Sequence, residues 1–175
     1  PHIFISMGGA DPHNLIFLVS AALSLVRQEF VADIVIGRAF ESHRQLSEEL
    51  HQAPFKYELH HNVEDISSLM ITASLGVVTF GMVAYELGAL GVPALHIGIT
   101  PDHVESSSIF AEQGIANNLG LFKTLTESKL ANEIEICLLQ EKNEPPQKKE
   151  DHLDGLGARR VAQILNDEIL AVKSN

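Results

Sequence analysis

Apolar runs typical of buried strands alternate six times with stretches whose apolar residues recur at helical spacing. The predicted strands are Ile3–Met7, Ala32–Gly37, Phe55–His60, Leu75–Phe80, Ala94–Ile99 and Ile115–Leu119. The predicted helices are Pro12–Gln28, Ser42–Gln52, Val63–Ala73, Met82–Leu90, Val104–Gln113 and Glu127–Gln140. Regular alternation of this kind predicts an α/β fold with a six-stranded, all-parallel sheet, helices on both faces and strand order 3-2-1-4-5-6.

The end of the chain does not continue this alternation of strands and helices. Residues 141–150 are charged, contain two prolines and have almost no apolar side chains, which predicts a mobile surface loop. An amphipathic helix over Ala158–Leu170 follows, and we expect its apolar stripe to close the domain. That stripe consists of Val161, Ile164, Leu165 and Ile169. Residues 1–175 are thus predicted to form one domain.

Composition narrows the possible partners. The 23 acidic residues outnumber the 12 basic ones, and the net charge of −11 argues against binding to nucleic acid or to an anionic membrane surface. Leu15–Val26 is the longest apolar run, but it is interrupted by serines and falls short of the roughly 20 residues of a membrane span. Cys137 is the only cysteine, so an internal disulfide and a cysteine-built metal site are both excluded. A cytoplasmic location is the expectation that follows.

The nine histidines raise the question of a metal site. His60 and His61 are adjacent, so they cannot face one ion from the same strand, and the others are scattered along the chain. We therefore predict no metal and no cofactor. Neither a nucleophile elbow nor a Walker loop is present, and the dinucleotide fingerprint lacks its third glycine.

Ligands of parallel sheets bind beyond the carboxyl ends of the strands, which directs attention to three loops. These are residues 6–14, with two glycines and with Asp11 as a predicted helix N-cap; residues 60–63; and the junction at Gly81. At that junction Gly81 is expected to let the backbone turn tightly, and the helix that follows would offer its free N–H groups to an anion. Glu86, about one and a half turns later, could accept hydrogen bonds from a ribose; the alternative is an ordinary connection with a solvated glutamate.

Four blocks carry a family resemblance over nearly the whole chain: Ile5–Leu15, Gly81 with Tyr85–Pro93, Ala111–Ala116 with Leu119 and Gly120, and Leu153–Val161. In their order they resemble the C-terminal half of the two-Rossmann glycosyltransferases, the fold class of the lipid II-forming N-acetylglucosaminyltransferase. More closely, they resemble the C-terminal domain of the UDP-sugar hydrolase of pseudaminic acid biosynthesis and its spore-coat polysaccharide relatives. The resemblance implies a single Rossmann-like, three-layer domain. Because the chain opens directly on a strand, we expect it to be the C-terminal fragment of a longer protein.

The resemblance also implies a set of residues that contact or orient a nucleoside diphosphate sugar, most of all a UDP-sugar. They are Gly8 and Gly9 for the sugar and phosphate, Asn14 for loop orientation, Asn62 and Val63 for the base, Gly81, Met82, Val83 and Ala84 for the diphosphate, Glu86 for the ribose, and Asp102 with His103 beside the phosphates. A solvated histidine at a helix start is the alternative for His103.

Three positions depart from the family pattern. Relatives usually carry threonine or serine at Val83, glutamine at His103 and asparagine at Ser106, so the side-chain hydroxyl that would bond phosphate is absent here. The catalytic histidine of the hydrolase belongs to an N-terminal domain outside this chain, so no catalytic residue is assigned and the fragment alone is expected to be inactive.

These observations predict the nucleotide-sugar-binding half of a UDP-sugar hydrolase or glycosyltransferase in surface polysaccharide or nonulosonic (pseudaminic-type) acid biosynthesis. Its expected partner is an N-terminal Rossmann-like domain. The alternative is a degenerate, non-catalytic Rossmann-like domain used for partner binding or regulation.

Overall fold

The computed structural model describes residues 1–143 and 153–173. The strands are β1 (His2–Ser6), β2 (Val31–Ile36), β3 (Lys56–His61), β4 (Leu75–Thr79), β5 (Ala94–Gly98) and β6 (Asn117–Leu121). The helices are α1 (Leu15–Leu23), α2 (His43–Leu50), α3 (Ser67–Thr72), α4 (Met82–Leu90), α5 (Pro101–Glu112), α6 (Glu127–Asn143) and α7 (Gly157–Lys173). Among the described residues, no helix combines the length and the apolar character that a membrane crossing needs.

The predicted sheet is confirmed: all six strands are parallel, in the order β3-β2-β1-β4-β5-β6. Ile5 in β1 pairs with Ile34 of β2 on one side and with Val77 of β4 on the other. The chain runs outward from β1 to β3 and then returns to β4, so the loops after β1 and β4 leave in opposite directions. A crevice therefore opens at the carboxyl ends of the strands, where the ligands of such sheets bind.

Two apolar cores, one on each face of the sheet, make the domain three-layered. The first joins the sheet to α1, α2 and α6 through side chains such as Val19, Leu46 and Ile134. The second joins it to α3, α4 and α5 through Met70 and Leu87, among others. The strand residues alternate between the two cores because successive side chains of a strand point to opposite faces.

Several helices begin at places that periodicity alone did not predict. α1 starts at Leu15 rather than Pro12, because Asp11 and Asn14 take left-handed backbone angles (φ 41° and 52°) that keep this turn out of the helix. α3 starts only at Ser67. Just before it, the carboxylate of Asp65 accepts hydrogen bonds from the Ser67 hydroxyl (2.5 Å) and the Ser68 backbone N–H (3.3 Å). Local side-chain bonds of this kind compete with helix formation.

α5 starts earlier than predicted, at Pro101, because Thr100 caps it. The Thr100 hydroxyl oxygen accepts a hydrogen bond from the backbone N–H of His103 at 3.3 Å. Proline at the first helical position suits such a start, since its missing N–H would have no partner within the helix.

The end of the chain corrects one prediction and leaves another open. A helix does form at Gly157–Lys173, but its apolar stripe does not close the domain: Val161, Ile164, Leu165 and Ile169 are 54–61% exposed. Amphipathic spacing predicts that a stripe can be buried, but it does not identify the surface that would cover it. In the predicted loop at 141–150 the first three residues continue α6, and residues 144–150 lie outside the described part of the chain.

Candidate functional site

The loops after β1 and β2 touch at the carboxyl edge of the sheet. A Cβ added at Gly37 would lie 2.4 Å from the Gly9 carbonyl oxygen and 2.5 Å from its Cα. The same Gly9 oxygen accepts a hydrogen bond from the backbone N–H of Ala39 at 3.2 Å. Gly37 thus permits a backbone approach that any side chain would block. Sequence reasoning singled out Gly8 and Gly9 but missed Gly37.

Buried hydrogen bonds fix the loop after β1. The carboxylate of Asp11, only 5% exposed, accepts bonds from the backbone N–H groups of Leu15 (2.8 Å) and Ile16 (2.9 Å). The prediction that Asp11 is the N-cap is wrong, because Asn14 occupies that position, but the Asp11 carboxylate still accepts bonds from the first N–H groups of α1. Burial raises the pKa of Asp11, while the two N–H groups act in the opposite direction. The side-chain oxygen of Asn14 accepts a bond from the Ser42 hydroxyl at 3.3 Å, which ties this loop to the start of α2.

An open cleft of about 410 Å³ lies beside these loops. It is lined by Ser6, Gly8, Gly9, Val35, Ile36, Gly37, Arg38, Asn62, Val63, Glu64, Ile66 and Val83. The cleft brings together five of the sequence-predicted site residues, namely Gly8, Gly9, Asn62, Val63 and Val83. The others do not line it: Asn14, Gly81, Met82, Ala84, Glu86, Asp102 and His103.

The junction between β4 and α4 differs in detail from expectation. The chain bends between β4 and α4 at Phe80 and Gly81 as predicted, but Gly81 has φ −176°, an extended conformation open to any residue, so the bend does not depend on glycine. A Cβ there would meet no atom within 4 Å. No described side chain caps α4, so the N–H groups of Met82 and Val83 remain available to a ligand, whereas that of Ala84 donates to the Gly81 carbonyl oxygen at 3.0 Å. Ala84 is buried in the second core, whereas Met82 and Glu86 are exposed.

His103 lies close to that junction without reaching the cleft. Its ring centroid is 6.1 Å from that of Phe80, the residue immediately before Gly81. Its Nδ1 is buried and has no hydrogen-bond partner among the described residues. Asp102, one residue earlier in the first turn of α5, is exposed. The packing against Phe80 shows that His103 is not simply solvated, as one interpretation of the sequence had it.

Comparisons with known proteins place this geometry in context. No family model matches the chain. The spore coat polysaccharide biosynthesis protein SpsG of Bacillus subtilis is 28% identical over 177 residues, which cover 95% of this chain and 50% of SpsG. The chain is homologous to SpsG. It thus spans about half the length of that relative.

Solved structures confirm the fold. MurG of Acinetobacter baumannii superposes with a TM-score of 0.68 at 18% identity, over 78% of this chain and 41% of MurG. The glycosyltransferase of kitacinnamycin gives 0.64 at 18% identity, over 95% and 42%. CalG4, the calicheamicin glycosyltransferase, gives 0.61 at 17% identity, over 95% and 41%. The chain matches the C-terminal half of two-domain glycosyltransferases of this fold.

The cleft also contains residues that sequence reasoning missed. Arg38 lines the cleft and carries a positive charge, although the net charge of the chain is −11. Glu64, which is negatively charged, lines the same cleft. The rule that led to the other loops could have found Arg38, since it follows directly after β2 and Gly37. The lining residues include no histidine and no cysteine. Among the lining residues, Arg38 offers a positive charge, Ser6 a hydroxyl and Glu64 a carboxylate.

Proposed function

We propose that this chain is the nucleotide-sugar-binding half of an enzyme of surface polysaccharide or nonulosonic (pseudaminic-type) acid biosynthesis. The observation that carries the proposal is the convergence of Gly8, Gly9, Asn62, Val63 and Val83 on one cleft at the carboxyl ends of the strands. The role of SpsG in spore coat polysaccharide biosynthesis supports a polysaccharide pathway. A UDP-sugar is the proposed ligand.

The parts of the ligand have complementary surroundings. The nucleobase would lie against Asn62 and Val63, where the backbone of Asn62 takes a left-handed turn (φ 50°) after β3. The diphosphate would lie between Gly9 and the uncapped start of α4, because oriented N–H groups and the positive end of a helix favour anions. Arg38 would add a charge that can bond phosphate oxygens in a bidentate manner. The exposed carboxylate of Glu86 would accept hydrogen bonds from the ribose.

The proposed chemistry is displacement at the anomeric carbon, with the nucleoside diphosphate as the leaving group and either water or a hydroxyl as the nucleophile. This half would stabilise the negative charge that develops on the leaving phosphate. As the resemblance to the sugar hydrolase implies, the general base that activates the nucleophile would come from an N-terminal Rossmann-like partner domain. The chain by itself would then bind nucleotide without turning it over.

Calorimetry or ligand-observed NMR with UDP tests the proposal, with CDP and a UDP-sugar for comparison. We expect weak binding, at high micromolar to millimolar concentration. Val83→Thr should tighten it about tenfold, because a hydrogen bond to a charged group contributes roughly 1.5–3 kcal/mol and 1.4 kcal/mol is one decade. Glu86→Ala should weaken binding by a similar factor.

Glu112→Ala, which removes an exposed glutamate at the far end of α5, is the matched control and should leave affinity unchanged. If no nucleotide binds even at millimolar concentration, or if both site variants behave like the parent, the nucleotide-binding proposal fails. A degenerate domain that serves partner binding or regulation would then be the better account.

A further inference from the structure

A cluster of two imidazoles and two carboxylates lies on the outer half of the sheet, apart from the residues that line the cleft. In the strand register Asp33 of β2 pairs with Phe4 on one side and with Glu58 of β3 on the other. His2 stands two residues before Phe4, and His60 two residues after Glu58. Side chains two residues apart in a strand share a face, so these four groups meet on one face of β1, β2 and β3.

Asp33 is the buried centre of this cluster. Its side chain is 4% exposed, and its polar partners in the described chain are two imidazoles: Nδ1 of His2, 2.7 Å from Oδ2, and Nε2 of His60, 3.2 Å from Oδ1. No lysine, arginine or backbone N–H of the described residues reaches this carboxylate. A buried carboxylate is costly unless a positive charge compensates it.

The nitrogen of His60 faces two carboxylates at once. Besides Oδ1 of Asp33, it lies 3.9 Å from Oε2 of Glu58, and these three ligand atoms are all within 4.8 Å of one another. One N–H can donate well to only one of the two oxygens. A cation placed between the three atoms would satisfy all of them.

The distances between these three atoms suit a transition-metal ion, such as zinc, that binds both nitrogen and oxygen. Tetrahedral zinc with bonds of about 2.0–2.1 Å to nitrogen and oxygen holds neighbouring ligand atoms roughly 3.4 Å apart, against observed distances of 3.2 and 3.9 Å from Nε2 of His60 and a limit of 4.8 Å for every pair. We propose that Asp33, Glu58 and His60 form a binding site for Zn²⁺ or a similar divalent transition ion. His2 donates to the second oxygen of Asp33 and orients it, which is the usual arrangement behind a ligating carboxylate.

The site would cross-link the two outermost strands on this side of the sheet. β3 is the edge strand, and its Lys56, Glu58 and His61 are exposed. Val35, one of the residues lining the cleft, pairs with His60 and stands two positions after Asp33 on the same face. An ion here would therefore fix β2, which contributes Val35 and Ile36 to the lining of the cleft. Scattered histidines in the sequence did not reveal it, because its ligands come from different strands.

The test is titration of metal-stripped protein with Co²⁺, followed by visible d–d absorption, and with Zn²⁺, followed by calorimetry. We expect one strong site, at which bound Co²⁺ shows visible absorption bands typical of a low coordination number. Saturating Zn²⁺ should raise the midpoint of thermal unfolding by roughly 5 °C. The ring nitrogen signal of His60 should shift in NMR spectra on Zn²⁺ binding. His60→Gln and Glu58→Gln should each weaken binding at least tenfold, and His2→Gln by roughly ten- to a hundredfold.

Glu58 is 66% exposed, so Glu58→Gln tests the site without endangering the fold. His61→Gln is the matched control, because His61 neighbours His60 on β3 but points to the opposite face, where it stacks on His43 at 5.2 Å. Unchanged affinity in Glu58→Gln and His60→Gln would overturn the proposal. So would an equal loss in His61→Gln, which would assign binding to adventitious histidines, and so would the absence of any site that saturates in the micromolar range.

Discussion

His96 provides a quantitative test of the second core. It is completely buried on β5, with ring centroids of Phe80 and Phe110 each 5.4 Å away. Its Nδ1 is 3.1 Å from the hydroxyl of Ser107, and its Nε2 has no partner in the described part of the chain. Burial lowers the pKa of His96 from 6.5 to about 4, since an imidazolium would lose its hydration there.

The lowered pKa makes stability depend on pH in a defined direction. Below about pH 6.5 the unfolded chain takes up a proton at His96, whereas the folded chain does so only near pH 4. The free energy of unfolding therefore falls as the pH drops through this interval and levels off below it. At 1.36 kcal/mol per pKa unit the full effect is roughly 3 kcal/mol, of which about 2 kcal/mol is lost by about pH 5.

Urea unfolding followed by far-UV circular dichroism, at about pH 7.5 and about pH 5, measures this effect in the parent and in His96→Asn. The variant removes the titrating ring but can still bond Ser107, and any cost that is independent of pH cancels in the comparison between the two pH values. We expect its unfolding free energy to fall by about 2 kcal/mol less than that of the parent over this interval. His51→Gln, which removes an exposed histidine at the end of α2, should behave like the parent. Equal pH dependence in His96→Asn and the parent would refute the argument.

Two further predictions concern the loops at the cleft. Asp11→Ala should lower the unfolding free energy by about 1–2 kcal/mol through loss of the cap, and should leave UDP affinity largely unchanged, as urea unfolding and calorimetry would show. Asp11→Asn, which tolerates the left-handed backbone and keeps one acceptor, should cost less; an equal cost would contradict the capping role. Gly37→Ala should destabilise by about 1–3 kcal/mol and weaken UDP binding, because its Cβ would collide with Gly9. Gly9→Ala, whose Cβ meets open space, is the control and should be close to neutral in stability, whereas equal losses in both variants would show that the contact is unimportant.

Much of the fold could be predicted from local pattern. The four inner strands are short apolar runs and each core helix carries apolar residues at helical spacing, so burial of those residues dictates the element type, whereas the edge strands β3 and β6 are more polar. The parallel sheet and its order followed from strict alternation, since right-handed crossovers permit few other arrangements. Helix ends were less predictable because they depend on single capping side chains, such as Asp65 before α3 and Thr100 before α5.

The candidate site was predictable only in part. That the loops after β1, β3 and β4 share one edge follows from the parallel sheet, and Gly8, Asn62 and Val83 do line one cleft there. The position of Glu86 relative to that cleft could not be obtained from spacing along α4. Arg38 was open to prediction, because it follows a strand by the same rule.

By itself, then, the sequence determined those features that depend on spacing along the chain: the strands, the helices and the edge at which a ligand would bind. Tertiary structure decided those that depend on register between distant segments. The backbone contact of Gly37 with Gly9 and the meeting of Asp33 with His60 both require strands to align to within one residue. The exposed stripe of α7 is of the same kind, because amphipathic spacing creates an apolar face, whereas only packing determines whether another surface covers it.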